Sequence, residues 1–278
     1  MRLTSVVEER FSSEVKLAYQ RSISKFESLV TLRNVENAEK TYFNKSTAGG
    51  EAQKKGIFGE IPDIGGGVGR VECNLATFYA KNEIAAEDIE NTSIDENLIM
   101  TTNVASAIER NKDTLIKTAL AASTNEIAHG DTGLTIDKVN EIWQKHSDNL
   151  IFEYGEIPIN MVSTKQWQEL MALEQFNDAD KIGPADLPYL QTKAIPGRLW
   201  YDMIWMTDPK LNVASEIRTC FSFVKSCVGM GVSNVQKTVL EENNLKDSVL
   251  HWVKYKAGAV IIDDTGVIKV GCSEAAST

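Results

Sequence analysis

The sequence predicts an α+β fold, and three features carry that expectation. Helix-like and strand-like segments follow one another without a regular βαβ repeat, which argues against a doubly wound parallel sheet. Residues 40–72 hold many glycines and too few apolar side chains to form a core of their own. Directly after them, residues 93–122 carry a helical pattern with no Gly or Pro inside it.

The bulk properties fit such a fold and narrow the function. The chain has 278 residues, 42% of them hydrophobic and 24% charged, as in ordinary globular proteins. No stretch approaches the roughly 18 apolar residues that would span a bilayer, so no membrane role is expected. Met1-Arg2-Leu3-Thr4-Ser5 runs straight into an amphipathic pattern without a signal-peptide core, which predicts synthesis in the cytoplasm. The net charge of −10, from 29 basic and 39 acidic residues, argues against a protein that grips nucleic acid by its phosphates. An acidic container that encloses DNA remains compatible with it. The cysteines Cys73, Cys220, Cys227 and Cys272 show no C-x-x-C spacing and read as unpaired thiols. Cys220 and Cys227, seven apart, would share one face if they lay on a helix.

The first thirty residues read as an amphipathic helix. Val7, Phe11, Val15, Tyr19, Ile23, Phe26 and Val30 recur every three or four positions, and Ser5 with Glu8 forms a capping box. Such a helix either packs in the core or lays its apolar stripe on a neighbouring subunit.

Between Gly49 and Gly69 fall eight of the 18 glycines, with Lys54 and Lys55 among them. Ile57, Phe58, Ile61 and Ile64 are the main apolar exceptions. The stretch exceeds the usual loop of about 4–6 residues several-fold, which marks it as functional or disordered. Gly65-Gly66-Gly67-Val68-Gly69-Arg70 lacks the spacing of a phosphate loop or a dinucleotide fingerprint.

Ser93-Ile94-Asp95-Glu96 is a capping box with acid in the first turn, where the helix dipole favours it. The helix that follows, to about Ala122, is a rod of about 43 Å. Its expected stripe is Leu98, Ala105, Ile108, Leu115, Ala119 and Ala122, broken by Thr101 and Lys112.

The second half alternates. A helix carries Ile136, Val139, Ile142 and Trp143. A strand over Ile157–Val162 passes through Ser163-Thr164, as a cap, into a short helix with Trp167, Leu170 and Met171. Residues 183–196 hold three of the six prolines and read as irregular. Leu199–Met206 reads as one strand, and Ile217–Phe223 as another that enters a helix near Val224–Val232. The last element is a hairpin from Val249–Tyr255 and Ala259–Ile262, over Asp263-Asp264-Thr265-Gly266, to Val267–Val270. The tail from Ser273 is small and polar.

No catalytic constellation emerges, and neither cofactor nor metal is expected. His129, His146 and His251 lack metal-ligand spacing and read as packed or solvated. There is no G-x-S-x-G elbow. Asp131-Thr132-Gly133 and Asp264-Thr265-Gly266 repeat the triplet of aspartic proteases, in which two carboxylates share one proton. Only the second follows an apolar strand, so an aspartic-type hydrolase stays a remote alternative.

The order of these parts resembles the tailed-phage major capsid proteins of the Hong Kong ninety-seven type. Val162-Ser163-Thr164-Lys165-Gln166-Trp167, with Leu170 after it, resembles the strand-to-helix step of that family's axial domain. Gly197-Arg198-Leu199-Trp200-Tyr201 and Cys220-Phe221-Ser222-Phe223-Val224-Lys225-Ser226 are similar to its later segments. Gly258 to Val267 resembles its final hairpin. The resemblance implies the Hong Kong ninety-seven phage capsid fold and a division of the chain. Residues 1–39 would be an N-terminal arm and 40–72 an extension loop reaching over a neighbour. Residues 73–135 and 247–272 would be a peripheral domain with spine helix 93–122. Residues 136–246 would be the axial domain, and 273–278 a flexible tail.

It further implies a non-enzymatic subunit that assembles with itself into pentamers and hexamers of an icosahedral head around double-stranded DNA, contacted non-specifically. The implied location is the virion capsid, after synthesis in the host bacterial cytoplasm. The arm begins at once, so a separate scaffolding protein or none is expected, together with a portal. Phe11, Val15, Lys54, Lys55, Ile57, Phe58 and Ile61 are the candidate intersubunit contacts. Some family members cross-link a lysine to an asparagine; Lys54 and Lys55 lie in the corresponding loop, but no partner is identifiable. An encapsulin-like bacterial compartment shell is the alternative within the same fold group.

Overall fold

A computed structural model describes residues 23–36, 38–47, 49–55, 59–61, 63–85, 96–177, 197–243 and 247–274. Helices and strands are mixed in it, as expected for α+β. Two sheets, one long helix, shorter helices and a projecting two-stranded ribbon make up the described chain.

The first sheet contains β1 (Thr31–Val35), β4 (Ala76–Ala85), β11 (Val228–Asn243) and β12 (Ser248–Ile261), in the order β1-β11-β12-β4. Its centre is a long antiparallel hairpin running from Val228 opposite Ile261 to Asn243 opposite Ser248. The ribbon consists of β2 (Lys40–Thr47) and β3 (Gly67–Asn74), antiparallel from Lys40 opposite Asn74 to Thr47 opposite Gly67. The glycine-rich stretch is therefore not a structureless loop. Its ends are paired strands, and only residues 48–66 connect them.

The second sheet contains β5 (Glu126–Ile127), β6 (Ile159–Val162), β7 (Arg198–Trp200), β8 (Met203–Thr207), β9 (Val213–Ala214), β10 (Ile217–Phe223) and β13 (Val267–Ser273). Their order is β5-β13-β10-β6-β8-β7, with β9 pairing β10. Trp205, Phe223, Met161 and Val267 are fully buried there. Phe176 joins them edge-on between Trp167 and Trp200.

The long helix, α1 (Glu96–Ala121), packs on β12 and reaches the second sheet through Lys117, whose Nζ lies 3.1 Å from the buried Asp208 carboxylate. The Ser93 capping box falls outside the described residues. The buried stripe differs from the expected one. It runs Met100, Val104, Ile108, Lys112, Ile116, Leu120, in steps of four, while Ala105 and Ala122 are exposed. Lys112 does not interrupt burial, because Glu27 and Glu109 each approach its ammonium to 3.0 Å. Burial pulls that ammonium's pKa down, and the two carboxylates more than reverse it, leaving it raised.

Of two shorter helices, α2 (Ile136–Asp148) and α3 (Thr164–Ala172), α3 starts at its expected Ser163 cap and α2 at Thr135. Thr135 accepts from the Lys138 N–H and Ser163 from the Lys165 N–H. A single turn, α4 (Glu174–Asn177), follows. The irregular segment 183–196 falls outside the described residues.

Four sequence expectations need correction. The N-terminal helix does not continue to Val30: Glu27–Leu29 form one 3-10 turn and β1 follows. The Asp113 carboxylate accepts from Ser24 Oγ at 2.6 Å and from the Lys25 and Phe26 N–H groups, diverting donors a helix would need. Leu199–Met206 is not one strand, because Tyr201 and Asp202, both at φ 56°, make a two-residue turn between β7 and β8. Positive φ at both centres is the primed hairpin turn, usually signalled by Asn-Gly, and Tyr-Asp gives no such signal.

The expected helix near Val224–Val232 is a 3-10 turn at Lys225–Cys227 leading into β11. Consequently Cys220 and Cys227 share no helical face. Cys220 lies instead beside Cys272, whose thiol, together with burial, raises the Cys220 pKa well above its ordinary value. The closing hairpin is not one either. β12 belongs to the first sheet and β13 to the second, and Asp263, accepting from the Thr265 N–H, caps the corner between them.

Candidate assembly surfaces

The ribbon is seated at one end and bare at the other. On β2, Thr41 and Phe43 are buried, while Tyr42 between them is exposed, the period of two that a strand imposes. Phe43 packs with Cys73 and Leu75 in a small separate core, against Val260 and Ile262. The seat exists because β11 offers glycines. A Cβ on Gly229 would come within 2.7 Å of the Phe43 ring, and one on Gly231 within 2.7 Å of the Thr41 methyl. Gly258 on β12 clears the Asn74 carbonyl in the same way. Lys45 adds an ion pair to Asp263 at 3.0 Å.

Beyond Thr47 the ribbon has no such support. The Gly50 N–H still donates to the Ile64 carbonyl at 2.7 Å, so the two sides stay together past the ladder. A side chain on Gly49 would meet the Gly65 carbonyl at 3.0 Å, which is why glycine stands at this narrow crossing. Ile61, Ile64 and Val68 are 82%, 53% and 75% exposed. Exposed apolar side chains gathered on one projection make it a candidate contact surface.

Of the sequence-predicted contact residues, Lys54, Lys55 and Ile61 are exposed on this projection. Ile57 and Phe58 lie outside the described residues, as do Phe11 and Val15. The root of the arm is visible, however. Ser24 donates its backbone N–H to Glu109 at 3.0 Å and its hydroxyl to the buried Asp113, while Lys25 donates to the Thr207 carbonyl. The segment that leads to residues 1–22 is thereby strapped across α1. Asp113 and the β11 glycines went unnoticed in the sequence. The alternation Val228-Gly229-Met230-Gly231-Val232 was the available signal for a strand with one bare face.

The catalytic alternatives find no geometry among the described residues. The two Asp-Thr-Gly triplets sit at opposite ends of β13: Asp264 lies in the turn before Val267, and the Thr132 carbonyl accepts from the Ser273 N–H. Seven residues of strand separate them, about 20 Å, so their carboxylates cannot share a proton. His146 is fully buried, with Nε2 2.7 Å from Ser222 Oγ and no hydrogen-bond partner for Nδ1. Burial pushes its pKa down to about 4. Among the described residues no group of His, Cys, Asp and Glu is placed to hold a metal ion, and no helix is long and apolar enough to cross a membrane.

Comparison with known proteins points one way. The family described as phage capsid protein matches residues 3–274. Among solved structures, the chain is similar to the capsid of a native GTA particle, with 11% identity, 96% of both chains covered and a TM-score of 0.72. It is similar to the capsid of Cyanophage P-SCSP1u, with 11% identity, coverage of 97% and 94%, and a TM-score of 0.67. It is also similar to a structure from Mycobacterium phage Adephagia, with 14% identity, coverage of 95% and 94%, and a TM-score of 0.66. No curated protein sequence matches.

Proposed function

The chain belongs to the phage capsid protein family and has the Hong Kong ninety-seven fold, and from that premise we propose how its parts build a shell. The subunit forms pentamers and hexamers that close an icosahedral head around double-stranded DNA, and its resting place is the virion after synthesis in the host cytoplasm. Its one required partner is itself. A separate scaffolding protein and a portal take part in assembly, and the DNA touches an acidic wall without specific contacts. No catalytic step or cofactor is part of this reading.

The observation that carries it is the ribbon. Ile61, Ile64 and Val68 are exposed on a projection that cannot bury them against its own chain. A neighbouring subunit supplies the missing surface, so interface burial replaces internal burial. Phe11 and Val15, which precede the strap over α1 in sequence, are further contacts in this reading. Lys54, Lys55, Ile57 and Phe58 belong to the same contact.

Strand pairing supports a division into two working units. The first sheet with α1 is the peripheral unit, and the second sheet with α2 and α3 is the axial unit near capsomer centres. Relative to a split into 73–135 with 247–272 and 136–246, this assigns β11 to the peripheral unit and β13 to the axial one. The ribbon projects from the peripheral unit, where it reaches across to the next subunit.

The test replaces residues 48–66 with Asn-Gly, a turn that suits the Thr47–Gly67 pair. The shortened subunit is expected to fold, with unchanged circular dichroism and melting, and to form no closed particles by electron microscopy. Normal particles from this variant would refute the assignment of the ribbon.

A further inference from the structure

Lys138 is buried in the first turn of α2. Both facts are unfavourable for an ammonium: burial removes its water, and the N-terminal end of a helix repels positive charge. No carboxylate pairs with it among the described residues. Its three N–H groups are shared instead among four main-chain carbonyls, those of His129 at 2.7 Å, Thr132 at 2.8 Å, Gly133 at 2.9 Å and Gly271 at 2.9 Å, so that one N–H is bifurcated.

The backbone is shaped to bring these oxygens together. Gly130 and Asp131 stand at φ 53° and 52°, consecutive left-handed residues that curl the loop so its carbonyls face one point. Gly271 lets β13 approach, because a Cβ there would meet the His129 nitrogen at 3.0 Å. A side chain on Gly133 would collide with Glu169, whose carboxylate accepts from the Leu134 N–H at 2.6 Å. The Asp131-Thr132-Gly133 triplet thus has a use that owes nothing to its carboxylate.

We infer that these four carbonyls form a monovalent-cation cage that the protein fills with its own Lys138 ammonium, a tethered cation closing the 129–133 loop on the end of β13. Oxygens at this range suit ammonium or potassium. Calcium draws its ligands to about 2.3–2.6 Å and magnesium to about 2.0–2.1 Å. Rings of carbonyls are also how proteins replace the hydration shell of potassium. A short side chain at position 138 vacates the cage and turns it into a binding site for free ammonium or potassium. This inference does not depend on the shell reading.

The experiment measures melting of the full-length chain as wild type, Lys138→Met and Lys138→Ala. Each is measured in choline chloride and in equimolar potassium or ammonium chloride. Lys138→Met keeps the stem without the charge and is expected to melt about 5 °C or more below wild type in every salt. Lys138→Ala is expected to melt lowest in choline and to recover several degrees, saturably, in ammonium or potassium. Over the same titration the Ser273 amide should regain protection from hydrogen exchange. Lys138→Met matching wild type would overturn the cage. So would Lys138→Ala behaving alike in all salts, including failure to fold in each.

Discussion

The ribbon of residues 40–74 and the second sheet use apolar side chains in opposite ways. In the sheet, Trp205, Met203, Phe223 and Met161 are fully buried. In the outer ribbon, Ile61, Ile64 and Val68 face solvent, and backbone pairing joins the two sides. One region buries its apolar side chains within its own chain; the other leaves them available for contact. The difference separates a subunit's stability from its capacity to assemble, and each substitution below tests one side of that separation.

The largest effect belongs to the sheet. Trp205 is 0% exposed, and its indole N–H donates to the Trp200 carbonyl at 3.0 Å. Trp205→Ala removes both and leaves a cavity, so denaturant unfolding should show a loss of about 3–5 kcal/mol. A loss below about 1 kcal/mol would mean that this sheet is not where stability resides.

Next comes acid sensitivity, confined to the body. Folded His146 titrates at about 4 against an ordinary 6.5, so between these values the unfolded chain binds the extra proton. Stability is complete above about pH 6.5 and falls as pH drops toward 4, by on the order of 3 kcal/mol in all. His146→Gln should flatten that part of the pH profile without changing the ribbon's protease sensitivity. A variant as acid-sensitive as wild type across this window would remove His146 as the cause.

A smaller effect lies at the joint between the regions. Gly229→Val places a Cβ against the Phe43 ring. Overpacking of this kind costs about 1–3 kcal/mol, and the ribbon can relieve it by lifting off its seat. Faster tryptic cleavage at Lys40 and Lys45, with the second sheet's tryptophan fluorescence unchanged, is the expected outcome. Unchanged cleavage would show that the seat does not hold the ribbon.

How far the sequence revealed all this depends on which signals were local. The cap at Ser163, the uninterrupted helix and β10 from Ile217 to Phe223 were legible, because propensity and tertiary context agree there. The Tyr201-Asp202 turn was not legible, since neither residue advertises positive φ. The start of β11 was misread as a helix because Gly229 and Gly231 are explained by Thr41, Phe43 and Leu75, more than 150 positions away. The partners of β12 and β13 depended on sheet membership, which no local pattern records. The ribbon's composition marked it as unable to bury itself, yet the pairing of Lys40–Thr47 with Gly67–Asn74 became visible only in three dimensions.

The smallest effect on folding is also the sharpest test of the comparison. Ile61→Asp combined with Val68→Asp places two charges on a surface that is already 82% and 75% exposed at those positions. Neither side chain loses a packed neighbour of its own chain, and aspartate is well solvated there. Melting should therefore stay within about 0.5 kcal/mol of wild type. In an assembled shell the same positions would be buried against a neighbour, where an unpaired carboxylate taken out of water is costly. Sedimentation of the purified variant should find stable subunits or single capsomers and no closed particles. If the double variant is destabilised as strongly as Trp205→Ala, the ribbon belongs to the folding core after all. If it is stable and still closes into shells, the exposed apolar side chains of the ribbon are not what neighbouring subunits hold.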